Sequence, residues 1–256
     1  MKLVTWNVNS LKVRLPQVID WLTDNQPDVL CLQETKLQDE NFPVEEVLAA
    51  GYRPVYVGQK TYNGVALLSK QIGDNVVTAL PGFEDVQKRV IAATYEDIRV
   101  VCIYVPNGEN VTSEKYDYKL AWLDALNCWL QIELVKYSKL VLLGDFNIAP
   151  EDRDVHDPEA WSGKVLCSQP ERDAFRHLLD LGLVDSFRLF EQPEKTYTWW
   201  DYRMMAFRRN RGLRIDHVLL SNDLAHICSG CRVDKATRKH ERPSDHAPVI
   251  AELSAQ

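Results

Sequence analysis

The chain has 256 residues, 45% of them hydrophobic, and a net charge of −7. That is enough apolar sequence for one well-buried domain, expected to span residues 1–256. No apolar run is long enough to cross a bilayer, and strand-like sequence begins at Lys2 with no secretory core ahead of it, so a cytoplasmic protein is expected.

In chain order, a strand-like run at residues 2–6 leads into a helical pattern at 14–25, with Pro16 near its first turn and Pro27 beyond its end. Further strand-like runs follow at 29–32, 65–69, 90–94 and 100–104. A long helix is predicted over 113–136, where Trp122, Leu123, Leu126, Trp129, Leu130 and Leu134 recur at helical spacing and read as core. After a run at 140–143 comes a third helix, 171–181, closed by Gly182, and then strand-like runs at 213–220 and 248–253. Most runs are β-branched and nearly continuous, as for strands covered by other layers. No linker or low-complexity tract divides the chain. Strand-then-polar-end units recur in both halves, which predicts two sheets stacked face to face with helices outside, a four-layer α/β sandwich.

Cys31, Cys102, Cys128, Cys167, Cys228 and Cys231 are scattered and read as free thiols. Cys228-Ser229-Gly230-Cys231 has no second pair at zinc-site spacing. The acidic balance argues weakly against a nucleic-acid partner, but the charge is uneven. Arg203, Arg208, Arg209, Arg211 and Arg214 form one basic group, and Arg232, Lys235, Arg238, Lys239 and Arg242 another. Two basic loops on an acidic body suit a protein that holds a polyanion on one face.

Four strand ends carry short polar side chains: Asn7 and Asn9, then Glu34, then Asp145 and Asn147, then Asp245 and His246. Phosphodiester hydrolysis needs a cation, a proton acceptor and donors for the phosphoryl oxygens. Glu34 is a hard-oxygen ligand of the type magnesium takes, Asp245 a second candidate, with Asn7 and Asn9 orienting the shell. His246 suits proton transfer, and its orienting carboxylate is expected to be Asp216, because Asp245 would face away on a strand. Asp145 and Asn147 would share a face on an extended chain, with Phe146 anchoring them in the core; a plain turn is the alternative. Tyr104 and Asn107, in Tyr104-Val105-Pro106-Asn107-Gly108, offer a phenol and an amide to a phosphate. Thr196-Tyr197-Thr198-Trp199-Trp200-Asp201-Tyr202-Arg203 mixes aromatics with arginine, either to hold a sugar or base or as a buried strand.

Together these motifs resemble the exonuclease III family of DNA-repair nucleases, within the DNase I-like superfamily, over nearly the whole chain. Lys12-Val13-Arg14, the Trp199-Trp200 pair and Arg211-Gly212-Leu213-Arg214-Ile215-Asp216 point to the repair nucleases within it. The resemblance implies a monomeric, magnesium-dependent hydrolase, with manganese as a substitute, acting on double-stranded DNA at 3′ ends, nicks or abasic sites. It implies Glu34 as main metal ligand with Asn7, Asn9 and Asp245 nearby, Asp145 moving a proton, and Asn147 steadying the transition state. It further implies Tyr104 and Asn107 on the scissile phosphate, the Asp216–His246 pair on phosphate or water, and Arg203 on the substrate. Trp199, Leu213 and Ile215 would form a small apolar pocket for a base-free sugar. One stretch departs from the abasic endonucleases: Leu166-Cys167 stands where they often carry small and aromatic residues. A bulky Leu166 would narrow the pocket, so 3′-end trimming and 3′-phosphate removal are expected over abasic incision. The competing readings are a phosphatase for small phosphoesters on the same fold and a catalytically silent nucleic-acid-binding module.

Overall fold

The computed structural model describes residues 1–254. Its centre is two six-stranded mixed sheets. The first sheet has β1 (Lys2–Asn7), β2 (Val29–Gln33), β3 (Arg53–Val57), β4 (Val65–Ser69), β11 (Cys228–Val233) and β12 (Val249–Leu253), in spatial order β11-β12-β1-β2-β4-β3. The second has β5 (Asp74–Val77), β6 (Val90–Tyr95), β7 (Ile98–Tyr104), β8 (Leu140–Asp145), β9 (Leu183–Asp185) and β10 (Asp216–Ser221), in order β5-β6-β7-β8-β10-β9.

Alternation along each strand sorts its residues into two cores. From β1, β2 and β4, Leu3, Val29, Cys31, Val65 and Leu67 point between the sheets, where they meet Ile91, Ala93, Val100, Cys102, Val141, Leu143 and Val218. The alternate residues Val4, Trp6, Leu30, Leu32, Ala66 and Leu68 face outward, under α1 (Leu11–Asn25) and α2 (Val44–Ala49). On the far side Ala92, Val101, Ile103, Leu140, Leu142 and Leu219 lie under α3 (Glu114–Lys136) and α5 (Gln169–Asp180). Trp122, Leu123, Leu126, Trp129 and Leu130 are core, as their spacing predicts. Both faces of the central strands are therefore covered, which explains their unbroken apolar sequence and gives the four layers expected. Two short helices, α4 (Pro158–Trp161) and α6 (Asn222–Ala225), lie in the connections. Among the described residues, no helix is long and apolar enough to cross a membrane.

Several boundaries differ from the sequence reading, three of them with a physical reason. The first helix begins at Leu11, so Pro16 lies inside it. Pro16 and Lys12 are both exposed, so the Lys12 carbonyl that the proline leaves without an amide donor faces solvent. The third helix starts earlier, at Gln169, because Ser168 and Glu171 close a capping box. The run at 213–220 is a strand only from Asp216; Leu213 instead makes isolated bridges to Val155 and Trp199.

Candidate active site

Parallel pairing of β1 with β2, and of β7 with β8, sends Asn7, Glu34, Tyr104 and Asp145 to one end of the sandwich. Antiparallel β10 and β12 start at that same end, bringing in Asp216, which stands opposite Asp145 in the ladder, and His246. Each sheet supplies part of the site. The close pairing of β7 and β8 just before Asp145 requires a glycine, since a Cβ on Gly144 would lie 1.9 Å from the Ile103 carbonyl oxygen.

His246 and Asp216 form the pair expected: Nδ1 lies 2.9 Å from one Asp216 oxygen and 3.1 Å from the other. The opposite ring nitrogen points at Asp145, 3.8 Å from its Oδ2. Burial alone would lower the His246 pKa, but the charges of Asp216 and Asp145 reverse this and raise it to about 10. Burial pushes Asp145 up to about 7, with His246 pulling it down and Asp216 pushing it up. Tyr104, half-buried, is raised well above the usual phenol value by burial and by the charges of Glu34 and Asp145.

The amide of Asn7 joins the two sheets by donating to Glu34 Oε1 at 2.8 Å and to Asp145 Oδ2 at 2.9 Å. Its carbonyl oxygen accepts the Asn9 N–H at 3.0 Å, which fixes the amide as a donor toward both carboxylates. Asn147 sits beside Asp145, though not through an extended chain. Its φ is 49°, its N–H donates to Asp145 Oδ1 at 2.9 Å, and its amide nitrogen reaches the Val105 carbonyl at 2.9 Å. The turn thus does what alternation was expected to do, with Phe146 fully buried as its anchor. Asn107 is exposed; it donates to Asn147 Oδ1 at 3.3 Å, and its own Oδ1 accepts the Glu109 N–H at 3.1 Å. Asn9, Glu34, Lys36 and Asn147 all have positive φ, a concentration of left-handed backbone outside glycine.

Among the described residues, the acid and imidazole groups with ligand atoms within 4.8 Å of one another are Glu34, Asp145 and His246. Asp245 lies outside that set. Its oxygens accept from the Asn9 amide at 3.0 Å and from Trp199 Nε1 at 2.9 Å, so it braces the rim. Trp199 also bridges in the backbone to both Leu213 and His246. Leu213 and Ile215 are buried against Ala149, Val155, Leu166 and Cys167. Leu166 itself holds a φ of 74° and fills that cluster, so the side chains expected to line an open sugar pocket are packed together behind Trp199.

Arg203 is exposed, paired with Asp201 at 2.7 Å, and joins no other site residue. The aromatic run is not a regular strand: Tyr197 and Trp200 are core, Trp199 is half-buried and Tyr202 exposed. The two basic groups also need correction. Arg214 is buried between Asp154 at 2.6 Å and Asp185 at 2.8 Å. Arg238 is buried with its guanidinium over Trp200, Tyr202 and Phe207. Arg208, Arg209, Arg211, Lys235 and Lys239 remain exposed.

Four contributors are given no role in the sequence reading, although Arg14 stands in its Lys12-Val13-Arg14 motif. Lys36 Nζ lies 2.9 Å from Glu34 Oε2 and 2.5 Å from Asn9 Oδ1. Its place two residues after Glu34 is a usable signal. Arg14 clamps the Asn9 and Pro243 carbonyls at 2.7 and 3.0 Å, and Ser244 Oγ donates to the Asn7 carbonyl at 2.6 Å. Lys119, in the second turn of α3, has no sequence signal at all.

A family model for the endonuclease/exonuclease/phosphatase family matches residues 4–246. The chain belongs to that family. Aligned with 99% of the chain and 100% of the relative, exodeoxyribonuclease III of Haemophilus influenzae is 38% identical. The DNA repair nuclease APEX1 of Danio rerio is 33% identical over 99% of the chain and 82% of its own length. The 3′ phosphatase NExo from Neisseria, solved bound to a product DNA hairpin, superposes with a TM-score of 0.98 at 51% identity over all of both chains. An AP endonuclease from Archaeoglobus fulgidus gives 0.95 at 39% identity, again over all of both chains. The fold is the DNase I-like one of these neighbours, and the chain is an enzyme of the exodeoxyribonuclease III and AP endonuclease type.

Proposed function

We propose that this DNA-repair nuclease is a magnesium-dependent hydrolase of 3′ ends in double-stranded DNA. It removes 3′-phosphates and trims 3′ nucleotides at ends and nicks, with abasic-site incision the weaker activity. In this reading it works as a cytoplasmic monomer, with one catalytic domain over residues 1–256. The observation that carries the reading is the meeting of Glu34, Asp145 and the Asp216–His246 pair at the seam of the two sheets. The likeness to a 3′ phosphatase at 51% identity supports the choice among activities.

The donor set fits a divalent cation. Three carboxylates, Glu34, Asp145 and Asp216, crowd a small volume in which Lys36 and His246 are the partnering cations. Glu34 would be the principal ligand, with Asp145 close enough to share it, Asn7 orienting both, and Asn9 and Asp245 bracing from behind. Magnesium suits one or two carboxylates with waters completing its shell, and manganese would substitute. Bound there, the cation would neutralise charge developing on the phosphoryl oxygens.

The chain's own groups divide the remaining work. Asp145, with a pKa near neutrality, takes or returns the proton of water or leaving group. Doubly protonated His246, steered by Asp216, offers an N–H to a phosphoryl oxygen. Asn147, Asn107 and the Tyr104 phenol supply neutral donors. Leu166 leaves little room beside Trp199 for an extrahelical sugar, which disfavours abasic incision.

An end-labelled DNA panel with magnesium or manganese, and with EDTA as control, tests the reading on a blunt duplex, a 3′-phosphate nick and an abasic site. Release of the 3′-phosphate should be fastest. Equally fast abasic incision would remove the argument from Leu166, and hydrolysis of small phosphoesters in place of DNA would overturn the proposal. Full turnover by Glu34→Ala would refute the assignment of the site.

A further inference from the structure

Lys119 is wholly buried, and its ammonium has three hydrogens to place. It donates one to the carbonyl oxygen of Asn107 at 3.1 Å, one to that of Asn147 at 2.7 Å, and one to Glu171 Oε1. The same Glu171 oxygen accepts the N–H of Leu166 at 2.9 Å, and its other oxygen accepts the N–H of Ser168 at 3.0 Å and its hydroxyl at 2.5 Å. Ser168 Oγ lies 2.5 Å from the hydroxyl of Tyr116, one turn before Lys119 on α3. One face of one helix therefore fastens three loops: those after β7 and β8, and the segment that carries Leu166.

Two of these loops present the amides that face the site, and they touch there through the bond from Asn107 Nδ2 to Asn147 Oδ1 at 3.3 Å. That contact is long, and Asn107 is an exposed residue whose other amide atom is held only by the Glu109 N–H. The strong fixings are underneath, at the backbone, where Lys119 reaches both carbonyls. A buried ion pair gains little net stability over an apolar pair of similar volume. What an apolar pair cannot do is set the spacing of two carbonyls. We infer that Lys119 is a positioning residue, which holds the amides of Asn107 and Asn147 at the separation that phosphoryl oxygens require. Glu171 orients the ammonium and ties the same fixing to the loop of Leu166.

The inference rests on the functional reading above, and the test keeps the two apart. Lys119→Met is measured on a nicked duplex bearing a 3′-phosphate, alone and together with Asn147→Ala. Because a small misplacement of a reacting group costs up to about 100-fold, kcat should fall by about 10- to 100-fold while KM stays within about threefold. In the Asn147→Ala background the same substitution should cost several-fold less than in the wild type, since one of the two amides it positions is gone. Should Lys119→Met leave Glu171 unpaired and fail to fold, Lys119→Met with Glu171→Gln removes the lone charge, keeps an acceptor for the capping box and is assayed in its place. That double variant should recover most of the lost Tm yet stay slow. Recovery of kcat along with Tm would overturn the inference, as would an equal loss with and without Asn147. A wild-type protein inert on every DNA would instead overturn the functional reading and take this inference with it.

Discussion

Burial would strip the proton from His246, yet two carboxylates keep it there to about pH 10. Replacing it with glutamine keeps a donor but removes the charge and the proton. We expect His246→Gln to lower kcat by about 10²- to 10³-fold, the usual range for loss of a donor to developing oxyanion charge, with duplex binding nearly unchanged. Steady-state kinetics beside a binding titration checks this. Glu34 has a separate signature. Magnesium at 100 times its dissociation constant should add about 2.7 kcal/mol of stability to the wild type through mass action. In Glu34→Gln that gain should largely vanish, and thermal melts with and without the cation would show it. These residues were legible because polar side chains at the ends of apolar runs have few other reasons to be there. Asp216 could be picked as the partner of His246 because the neighbouring carboxylate would face away. Lys36 could have been found from its place two residues after Glu34, but Lys119 was not legible. The Lys119 ammonium becomes part of the site only when distant segments close over it, the loops at residues 107 and 147 and the first turn of α5 at Glu171.

Among the strands, the eight found by reading are those covered on both faces. The four missed, β3, β5, β9 and β11, are the edges of the two sheets. Edge strands are partly open, so their sequences lack the continuous apolar run that betrays a central strand. The segment around Leu166 shows the same limit in a loop. Its departure from the abasic endonucleases could be read from sequence, but its backbone could not. Leu166 holds a φ of 74°, which costs about 1 kcal/mol or more outside glycine. Removing a buried leucine side chain costs more, about 2–5 kcal/mol. Leu166→Gly should therefore destabilise the protein, by about 1–4 kcal/mol, despite relieving the backbone. It should also raise abasic incision relative to 3′-phosphate release. Urea unfolding and the two cleavage rates, measured on one preparation, test both halves.

Across the whole molecule, stability and acidity are linked through a buried network under the second sheet. His217 Nδ1 accepts from Arg214 at 3.0 Å, and its Nε2–H donates to the Ile148 carbonyl at 2.9 Å. Burial and the Arg214 charge push its pKa down to about 4. The unfolded chain titrates near 6.5, so it binds more protons than the fold between those values. The contribution of neutral His217 is complete above pH 6.5 and is lost as the pH falls toward 4, about 3 kcal/mol in all. Denaturant midpoints at pH 7 and pH 5 should fall less for His217→Gln, which has no proton to gain. The general architecture was visible in the sequence because the recurrence of strand and polar end in both halves implied two stacked sheets. The network was not, because Arg214 looked like one more member of a basic surface run.

Neither sheet owns the catalytic centre: Asn7, Glu34 and His246 belong to one layer, Tyr104, Asp145 and Asp216 to the other. Turnover is therefore a gauge of how the layers are aligned. A slip of about 1 Å between them would leave every ladder of each sheet unbroken while parting an imidazole from its carboxylate, enough for about a 100-fold loss. Mild heat or dilute urea should silence the enzyme while its circular dichroism still reads as native.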